Sequence, residues 1–237
     1  MIASALLTSV QQLINGLEAP EILKTLSKAY PGQVVFSTSF GMEDQVLTHM
    51  IATEKLDIDL FTLDTGRLFP ETYSTWRQTI ETYGISIRAL YPDAQTLGAF
   101  VSEKGPNAFY ESVENRKQCC HIRKVEPLRE ALAGYSIWIT GLRASQSAQR
   151  SSLLHVEWDD GHRVLKVHPL LHWSWEEIND YIRKQHVPYN ALHDKGYVSI
   201  GCAPCTRAIR PDEDFRAGRW WWEKNTSKEC GLHASST

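Results

Sequence analysis

The sequence predicts an α/β fold with a doubly wound, mostly parallel sheet. Apolar segments at 33–37, 59–64, 85–90 and 137–141 have the length and composition of buried strands, and each leads into a helical segment or a loop before one. Strands that alternate with helices in this way form parallel sheets. At 237 residues and 42% apolar content, the chain can bury a sizeable core, and its length favours one domain with an extension over two domains.

Further elements flank the predicted sheet on both sides. The first thirty residues are predicted to form two amphipathic helices. In the first, apolar residues recur at helical spacing and form the stripe Leu6, Val10, Leu13, Ile14 and Leu17. Pro20 marks the start of the second helical segment. From 212 onward the pattern stops, and Arg-Trp-Trp-Trp precedes a polar run at 224–229. We therefore expect a main α/β domain over 1–211 and a mobile tail over 212–237, which the tryptophans anchor.

Composition and charge argue against several classes of function. The formal net charge of −3 gives no sign of a nucleic-acid-binding surface, so an anionic ligand has to be met by local cations. No apolar stretch is long enough to span a membrane, and residues 1–16 lack the basic start and the long apolar run of a signal peptide. These features predict a cytoplasmic protein and leave its oligomeric state open.

Five cysteines carry the clearest functional signal. Cys119 and Cys120 are adjacent, and Cys202 and Cys205 lie in Cys-Ala-Pro-Cys; together they supply the four thiolates that an iron–sulfur cluster or a zinc ion requires. Adjacent side chains on a helix diverge by about 100°, which suits the separate irons of a cluster better than one tetrahedral ion, although zinc stays an alternative. A disulfide framework is disfavoured in so long and cysteine-poor a chain. Cys230, on the expected tail, is predicted to be a reactive thiol.

Polar, glycine-bearing loops follow three of the predicted strands, at the edge where α/β sheets bind nucleotides. They read Ser-Thr-Ser-Phe-Gly from 37, Leu-Asp-Thr-Gly-Arg-Leu-Phe-Pro from 63 and Thr-Gly-Leu-Arg from 140. Amides of such loops can bind phosphate at a helix N-terminus. The first loop lacks the Gly-Lys-Ser/Thr ending of a Walker motif, so it also fits an ordinary strand-to-helix connection. Carboxylates at Glu43 and Asp44 would repel an anion, so we expect them to orient a cation or cap the helix.

Several motifs together resemble the PAPS/APS reductase family of assimilatory sulfate reduction, and within it the iron–sulfur branch. They are Ser-Thr-Ser-Phe-Gly-Met-Glu-Asp, Leu-Asp-Thr-Gly-Arg-Leu-Phe-Pro-Glu-Thr-Tyr, Cys-Cys-His-Ile-Arg-Lys-Val-Glu-Pro-Leu, Pro-Tyr-Asn-Ala-Leu-His, Ser-Ile-Gly-Cys-Ala-Pro-Cys-Thr, and Gly-Arg-Trp-Trp-Trp-Glu followed by Lys-Glu-Cys-Gly-Leu-His. The match extends over about residues 30–233 and leaves out only the N-terminal helices.

The resemblance implies an adenine-nucleotide alpha-hydrolase-like fold, a 4Fe–4S cluster on the four paired cysteines, adenosine 5′-phosphosulfate (APS) as substrate and thioredoxin as electron donor. Its chemistry agrees with the residues, because a Cys230 thiolate could attack the sulfur and displace AMP, and a dithiol could then release sulfite. Lys124 is implied to be catalytic. The implied substrate-binding residues are Ser37, Ser39, Phe40, Gly41, Leu63, Asp64, Gly66, Gly141, Arg150, Arg216 and Arg219.

Other functions remain alternatives. A PAPS reductase would need a cation for the 3′-phosphate, and Arg67 is one, although PAPS-specific relatives tend to carry Tyr at that position. An ATP-dependent tRNA thiolation enzyme on the same fold typically has Ser-Gly-Gly-x-Asp-Ser where this chain has Ser-Thr-Ser-Phe-Gly-Met-Glu-Asp. A redox sensor without catalytic activity would leave Cys230 unexplained.

The histidines suggest no metal site. His168, His172, His186 and His193 form no recognisable ligand set in the sequence, and we interpret them as structural. His233 lies three residues after Cys230 and could act as a base, but no role for it follows from the pattern.

Overall fold

A mostly parallel sheet organises the protein, as the sequence predicts. The computed structural model describes residues 2–147, 150–223 and 232. Within them the strands are β1 Val34–Ser37, β2 Asp59–Leu63, β3 Arg88–Leu90, β4 Ile137–Ile139, β5 Val156–Asp159 and β6 Val164–Val167. They lie in the order β3-β2-β1-β4-β6-β5. All neighbouring strands pair in parallel except β5, which runs antiparallel to β6 at the edge.

Helices precede β1, fill the connections from β1 to β4 and follow β6. Their bounds are α1 Ile2–Ile14, α2 Ala19–Ala29, α3 Met42–Thr53, α4 Pro70–Tyr83, α5 Ala94–Lys104, α6 Val113–Cys120, α7 Glu126–Leu132 and α8 Trp175–Gln185. The two predicted N-terminal helices are confirmed, and Val10 and Ile14 are buried as expected. Leu13, which the prediction placed on the same stripe, is 40% exposed, because successive helical residues diverge by about 100° and Ile14 already occupies the buried side.

Alternate residues of the central strands enter two separate cores, as strand geometry requires. One core contains Phe36 and Ile139 and packs against α1, α2, α3 and α8. The other contains Val35, Phe61 and Trp138 and packs against α7. Helices therefore cover both faces of the sheet, and the predicted doubly wound architecture is confirmed.

The β5–β6 hairpin is the element that sequence reasoning did not identify. Its strands carry charged residues that a buried strand pattern does not contain, and these side chains are satisfied by one another. Lys166 lies 3.2 Å from Glu157 and 3.1 Å from Asp159, and its side chain is only 3% exposed. The ion pairs allow the hairpin to extend the sheet at its edge despite its polar sequence.

Residues 212–223 pack onto the main body of the protein. Trp220 is 1% exposed, and its amide donates to the Cys205 carbonyl oxygen at 3.1 Å. The guanidinium groups of Arg116 and Arg219 lie over its ring at 4.7 and 4.8 Å from the centroid. This packing agrees with the anchoring role that the sequence predicts for the tryptophans. Across the part of the chain that the structure describes, no helix is long and apolar enough to cross a membrane.

Candidate functional site

A cleft opens at the carboxyl ends of β1, β2 and β4, where the polar loops were expected to meet. We call it the strand-end cleft. Nine of the residues proposed from the sequence line it, and they come from segments far apart in the chain: Ser37, Ser39, Gly41, Leu63, Lys124, Gly141, Arg150, Arg216 and Arg219. The fold thus brings the three loops and the four cations to one place.

The first loop is held in shape by a half-buried carboxylate. Asp44 accepts hydrogen bonds from the Ser39 amide at 2.6 Å and from the Ser39 hydroxyl at 2.7 Å. Burial raises the pKa of Asp44 to about 6, although the hydrogen bonds from Ser39 oppose the shift. A Cβ on Gly141 would lie 2.3 Å from an Asp44 oxygen, so only glycine allows the third loop to approach this carboxylate so closely. Asp44 therefore acts on the loop, which agrees with the capping role suggested for it.

Glu43 orients a cation, which is the other role that the sequence suggested for this carboxylate pair. Arg143 donates from Nε to Glu43 at 2.8 Å, and the two side chains are 1% and 10% exposed. Gln146 donates from Nε2 to the same carboxylate at 3.0 Å, and its Oε1 accepts from Arg150. The chain of contacts from Glu43 through Gln146 fixes the guanidinium of Arg150 at the wall of the cleft.

Two further arginines enter the cleft from the C-terminal segment. Arg216 and Arg219 are only 7% and 6% exposed. Arg219 donates to the Ile200 carbonyl oxygen at 3.3 Å, and a Cβ on Gly201 would lie 2.3 Å from its Nη2. With Lys124 and Arg150, these two arginines place four cations in the lining of one cleft, which suits a negatively charged ligand.

A second, smaller cavity adjoins the strand-end cleft and holds four thiols. We call it the thiol pocket. Cys119 and Cys120 reach it from the end of α6, where a π-helical turn at His121–Val125 follows, and the other two cysteines reach it from a short helical turn at Ala203–Cys205. Its lining is Arg67, Phe109, Arg116, Cys119, Cys120, Arg123, Lys124, Cys202, Pro204 and Cys205. The two cysteine pairs, 82 residues apart, thus face one cavity with four cations around it.

The thiols of the pocket differ in their electrostatic surroundings. Burial raises the pKa of Cys119, and it raises the pKa of Cys205 to about 12. Burial also acts to raise the pKa of Cys202, but Lys124 and a Thr65 hydroxyl 3.3 Å from its sulfur outweigh it, so the pKa lies below its usual value. Lys124 lines both cavities and is the cation that connects them.

The donor set of the thiol pocket fits an iron–sulfur cluster. Four buried thiols in one cavity are what a cubane cluster needs, because each thiolate binds a different iron. Among the residues that the structure describes, no three His, Cys, Asp or Glu side chains converge as ligands of a single metal ion.

Three residues proposed from the sequence do not line the strand-end cleft. The ring of Phe40 stacks on Trp76 in the core, 5.4 Å between centroids. Asp64 accepts hydrogen bonds from the Gly66 amide and the Tyr73 hydroxyl, both at 2.8 Å. Gly66 adopts a positive φ of 69°, which fits the turn after β2. These residues shape the loops around the cleft.

Arg67 faces the thiol pocket and does not line the strand-end cleft. Its guanidinium donates to Asn107 at 3.3 Å and to the Pro106 carbonyl oxygen, and it lies 5.2 Å from the centroid of the Phe109 ring. Cys230 and His233 lie outside the described residues, so their predicted roles stay predictions.

Sequence reasoning missed several residues of the cleft. Trp138, Gln146 and His193 all line it, and so does Thr140, which the sequence placed in the third polar loop without proposing it as a binding residue. Trp138 donates from its indole to the Ser37 hydroxyl at 2.8 Å, a contact between neighbouring strands. Gln146 lies just after the third loop, so a wider reading of that loop would have included it. His193 ends the Pro-Tyr-Asn-Ala-Leu-His motif, but the sequence analysis interpreted it as structural.

A doubly wound α/β fold with an anion cleft beside a thiol pocket defines a class of nucleotide-binding protein, and comparison with known proteins gives its family. Residues 33–208 match the model of the phosphoadenosine phosphosulfate reductase domain. An adenosine 5′-phosphosulfate reductase of Agrobacterium fabrum strain C58 is 46% identical over 233 residues, which cover 98% of this chain and 89% of the relative. The chain belongs to the phosphoadenosine phosphosulfate reductase family.

Solved structures agree with the family and the fold. The phosphoadenylyl-sulfate (PAPS) reductase of Candida auris, in a phosphate complex, superposes with a TM-score of 0.73 at 27% identity and covers 86% of this chain and 96% of that one. The FMN adenylyltransferase of Candida glabrata, with FAD and pyrophosphate, gives a TM-score of 0.56 at 18% identity, and the match covers 99% of this chain and 83% of that one. The second likeness concerns the fold alone, and it agrees with the predicted α/β architecture.

Proposed function

We propose that this protein reduces APS to sulfite and AMP in sulfate assimilation. The observation that carries the proposal is the convergence of Lys124, Arg150, Arg216 and Arg219 on one cleft at the carboxyl ends of the parallel strands. That edge of an α/β sheet is where nucleotides bind, and four cations suit a phosphosulfate. The Agrobacterium relative, 46% identical over nearly the whole chain, is named for this activity.

The cations of the cleft stabilise the charge that develops on the leaving group. When the bond between sulfur and the bridging phosphate oxygen breaks, the electron pair stays on AMP, so negative charge grows on its phosphate. Guanidinium and ammonium groups that are already in position lower the barrier. Arg150 is oriented by the Glu43–Gln146 contacts, and Arg219 by the Ile200 carbonyl oxygen, so both are suited to this task.

The nucleophile in this proposal is Cys230. Its thiolate attacks the sulfur of APS, forms a sulfur–sulfur bond and releases AMP, which leaves an S-sulfonated cysteine. A thiolate of thioredoxin then attacks the Cys230 sulfur and expels sulfite with the electron pair, and the second thioredoxin thiol resolves the mixed disulfide. The two electrons thus come from thioredoxin. A C-terminal tail that visits first the nucleotide and then a protein partner suits this sequence of steps.

The thiol pocket would hold a 4Fe–4S cluster on Cys119, Cys120, Cys202 and Cys205. When bound, the cluster would supply a redox-active, charged group next to the cleft. Lys124 borders both cavities, so we assign it the role of holding its positive charge between the cluster ligands and the sulfate. A thiol nucleophile and a thiol reductant also suit the reducing environment of the cytoplasm, where we place the protein.

PAPS is the competing substrate. The two nucleotides differ by a 3′-phosphate, which would need its own cation to be selected. Arg67, the cation that the sequence offered for it, faces the thiol pocket and is engaged by Asn107 and Pro106, which supports APS as the substrate.

Steady-state kinetics with reduced thioredoxin test the proposal. We expect a kcat/KM for APS at least about tenfold above that for PAPS, a difference of about 1.4 kcal/mol in transition-state binding. Cys230→Ser should abolish turnover and keep APS binding, because a hydroxyl is a far weaker nucleophile. Equal or better use of PAPS would overturn the substrate assignment, and sulfite production by the serine variant would overturn the nucleophile.

A further inference from the structure

His193 forms part of the wall of the strand-end cleft. Both of its ring nitrogens are buried, and neither makes a hydrogen bond of normal geometry with the protein. Buried polar atoms without partners cost free energy, so each one in a native protein calls for an explanation. Two such atoms on one side chain, in the wall of a ligand cleft, indicate that the bound ligand supplies a partner.

Aromatic side chains hold the imidazole in place. The His193 ring lies 6.2 Å from the centroid of Trp175, and Trp175 meets Phe215 edge-on at 5.5 Å. The Arg143 guanidinium lies over both of these aromatic rings at 5.7 and 5.9 Å from the centroids. The aromatic ring that packs against the imidazole is thus held by the same arginine that pairs with Glu43, and Gln146, which also bonds to Glu43, links this group to Arg150.

The imidazole is neutral at neutral pH. Burial lowers the pKa of His193, and the nearby Glu43 carboxylate and the Tyr197 backbone only partly oppose the shift. A neutral imidazole offers one N–H donor and one acceptor. It can therefore donate to an anionic oxygen without adding a charge that would need to be desolvated.

We propose that His193 is a substrate-binding residue that donates a ring N–H to an oxygen of the phosphosulfate group. The proposal rests on the proposed function, since it takes APS as the ligand. Proton transfer to the leaving group is not its role, because a phosphate monoester with a second pKa of about 6 leaves as an anion at neutral pH. His193 acts by binding and orienting the group that the Cys230 thiolate attacks.

Calorimetry on the full chain carrying Cys230→Ser, which cannot turn over, tests this role. The titrants are APS, AMP and adenosine, and the variants are His193→Phe, His193→Gln and, as a control, His172→Phe at an exposed position outside the cleft. We expect His193→Phe to weaken binding of APS about tenfold or more, as the loss of a hydrogen bond to a charged group does. Adenosine binding should be unchanged, and glutamine, which keeps a donor, should recover part of the affinity.

The outcomes separate the two proposals. No binding of APS by the parent would refute the proposed function itself. Normal APS binding by the parent and equally tight binding by His193→Phe would refute only the role of His193, as would an equal loss for adenosine. If the His193 variants unfold, the ring nitrogen NMR signals of His193 in the protein carrying only Cys230→Ser decide the question: they should shift on addition of APS and stay unchanged with adenosine, and unchanged signals with APS would overturn the proposal.

Discussion

Glu223→Gln should destabilise the protein strongly, because it breaks the ion pair that ties the C-terminal segment to α6. Arg116 donates from Nε and Nη2 to the two carboxylate oxygens of Glu223 at 2.8 and 2.9 Å. The side chains are 1% and 3% exposed. The same guanidinium stacks on Trp220, and α6 ends in the first cysteine pair. One bidentate contact therefore holds together the thiol pocket and the segment that leads to Cys230.

The size of the effect follows from burial. Removing one partner of a buried ion pair leaves the other charge uncompensated, which costs about 3–5 kcal/mol. For a chain of this length each kcal/mol corresponds to about 2–4 °C in Tm, so we expect the midpoint to fall by about 6–20 °C. Replacing both partners, in Arg116→Met with Glu223→Met, should recover most of the loss, because no buried charge is then left alone.

Thermal unfolding followed by circular dichroism measures this effect. The matched control is Glu81→Gln, which breaks a surface pair in which Arg77 and Glu81 are 81% and 61% exposed; its midpoint should stay the same, since such pairs add little. A Glu223→Gln midpoint as high as that of the control would refute the reasoning. So would a double methionine variant that is no more stable than Glu223→Gln.

Three further predictions follow from the cleft and the thiol pocket. The pKa of Asp44 is about 6 in the folded protein against a usual 3.8, so its contribution to stability is present at low pH and is lost as pH rises through about 6. In urea unfolding, the free energy of unfolding of Asp44→Asn should therefore rise by about 2–3 kcal/mol relative to that of the parent between about pH 4 and pH 7. A difference between the two proteins that stays constant with pH would contradict this. Gly141→Ala places a Cβ 2.3 Å from an Asp44 oxygen, whereas the Cβ of Gly98→Ala meets nothing within 4 Å. We therefore expect calorimetry to show weaker APS binding for Gly141→Ala only. Equal APS affinities of the two variants would disprove the importance of this close approach. Serine in place of any one of the four cysteines of the thiol pocket should remove the visible absorption of the cluster, and stoichiometric zinc without sulfide in the native protein would contradict the cluster.

Local patterns predicted the central strands and the N-terminal helices. The segments that became β1, β2 and β4 are apolar and end in small polar residues, so their place in a parallel sheet and the cleft at their carboxyl ends could be predicted. The structure ends β2 and β4 earlier than predicted, because Asp64, Thr140 and Gly141 already belong to the loops that shape or line the cleft.

Contacts that depend on the tertiary fold could not be predicted. Lys166 and its acidic partners look like surface residues in the sequence, yet they are buried as ion pairs in the β5–β6 hairpin. His193 looked structural in the sequence, and only the fold shows that its nitrogens lie in the cleft without partners. Arg67 follows a strand-end glycine and looked like a phosphate ligand, but the turn at Gly66 directs it to the thiol pocket. Local periodicity carries none of these contacts: the Lys166 pairs form across the β5–β6 hairpin, and the partners of Arg67 lie 40 and 39 residues away along the chain.

Intact-protein mass spectrometry after incubation with APS in the absence of reductant tests the central claim most directly. The proposal predicts a mass increase of one sulfonate group, peptide mapping that assigns it to Cys230, and its release as sulfite when reduced thioredoxin is added. Cys230→Ser, incubated in the same way, should gain no mass. Sulfite formation by the wild-type protein without any adduct on Cys230, or an adduct on a cysteine of the thiol pocket, would contradict the account.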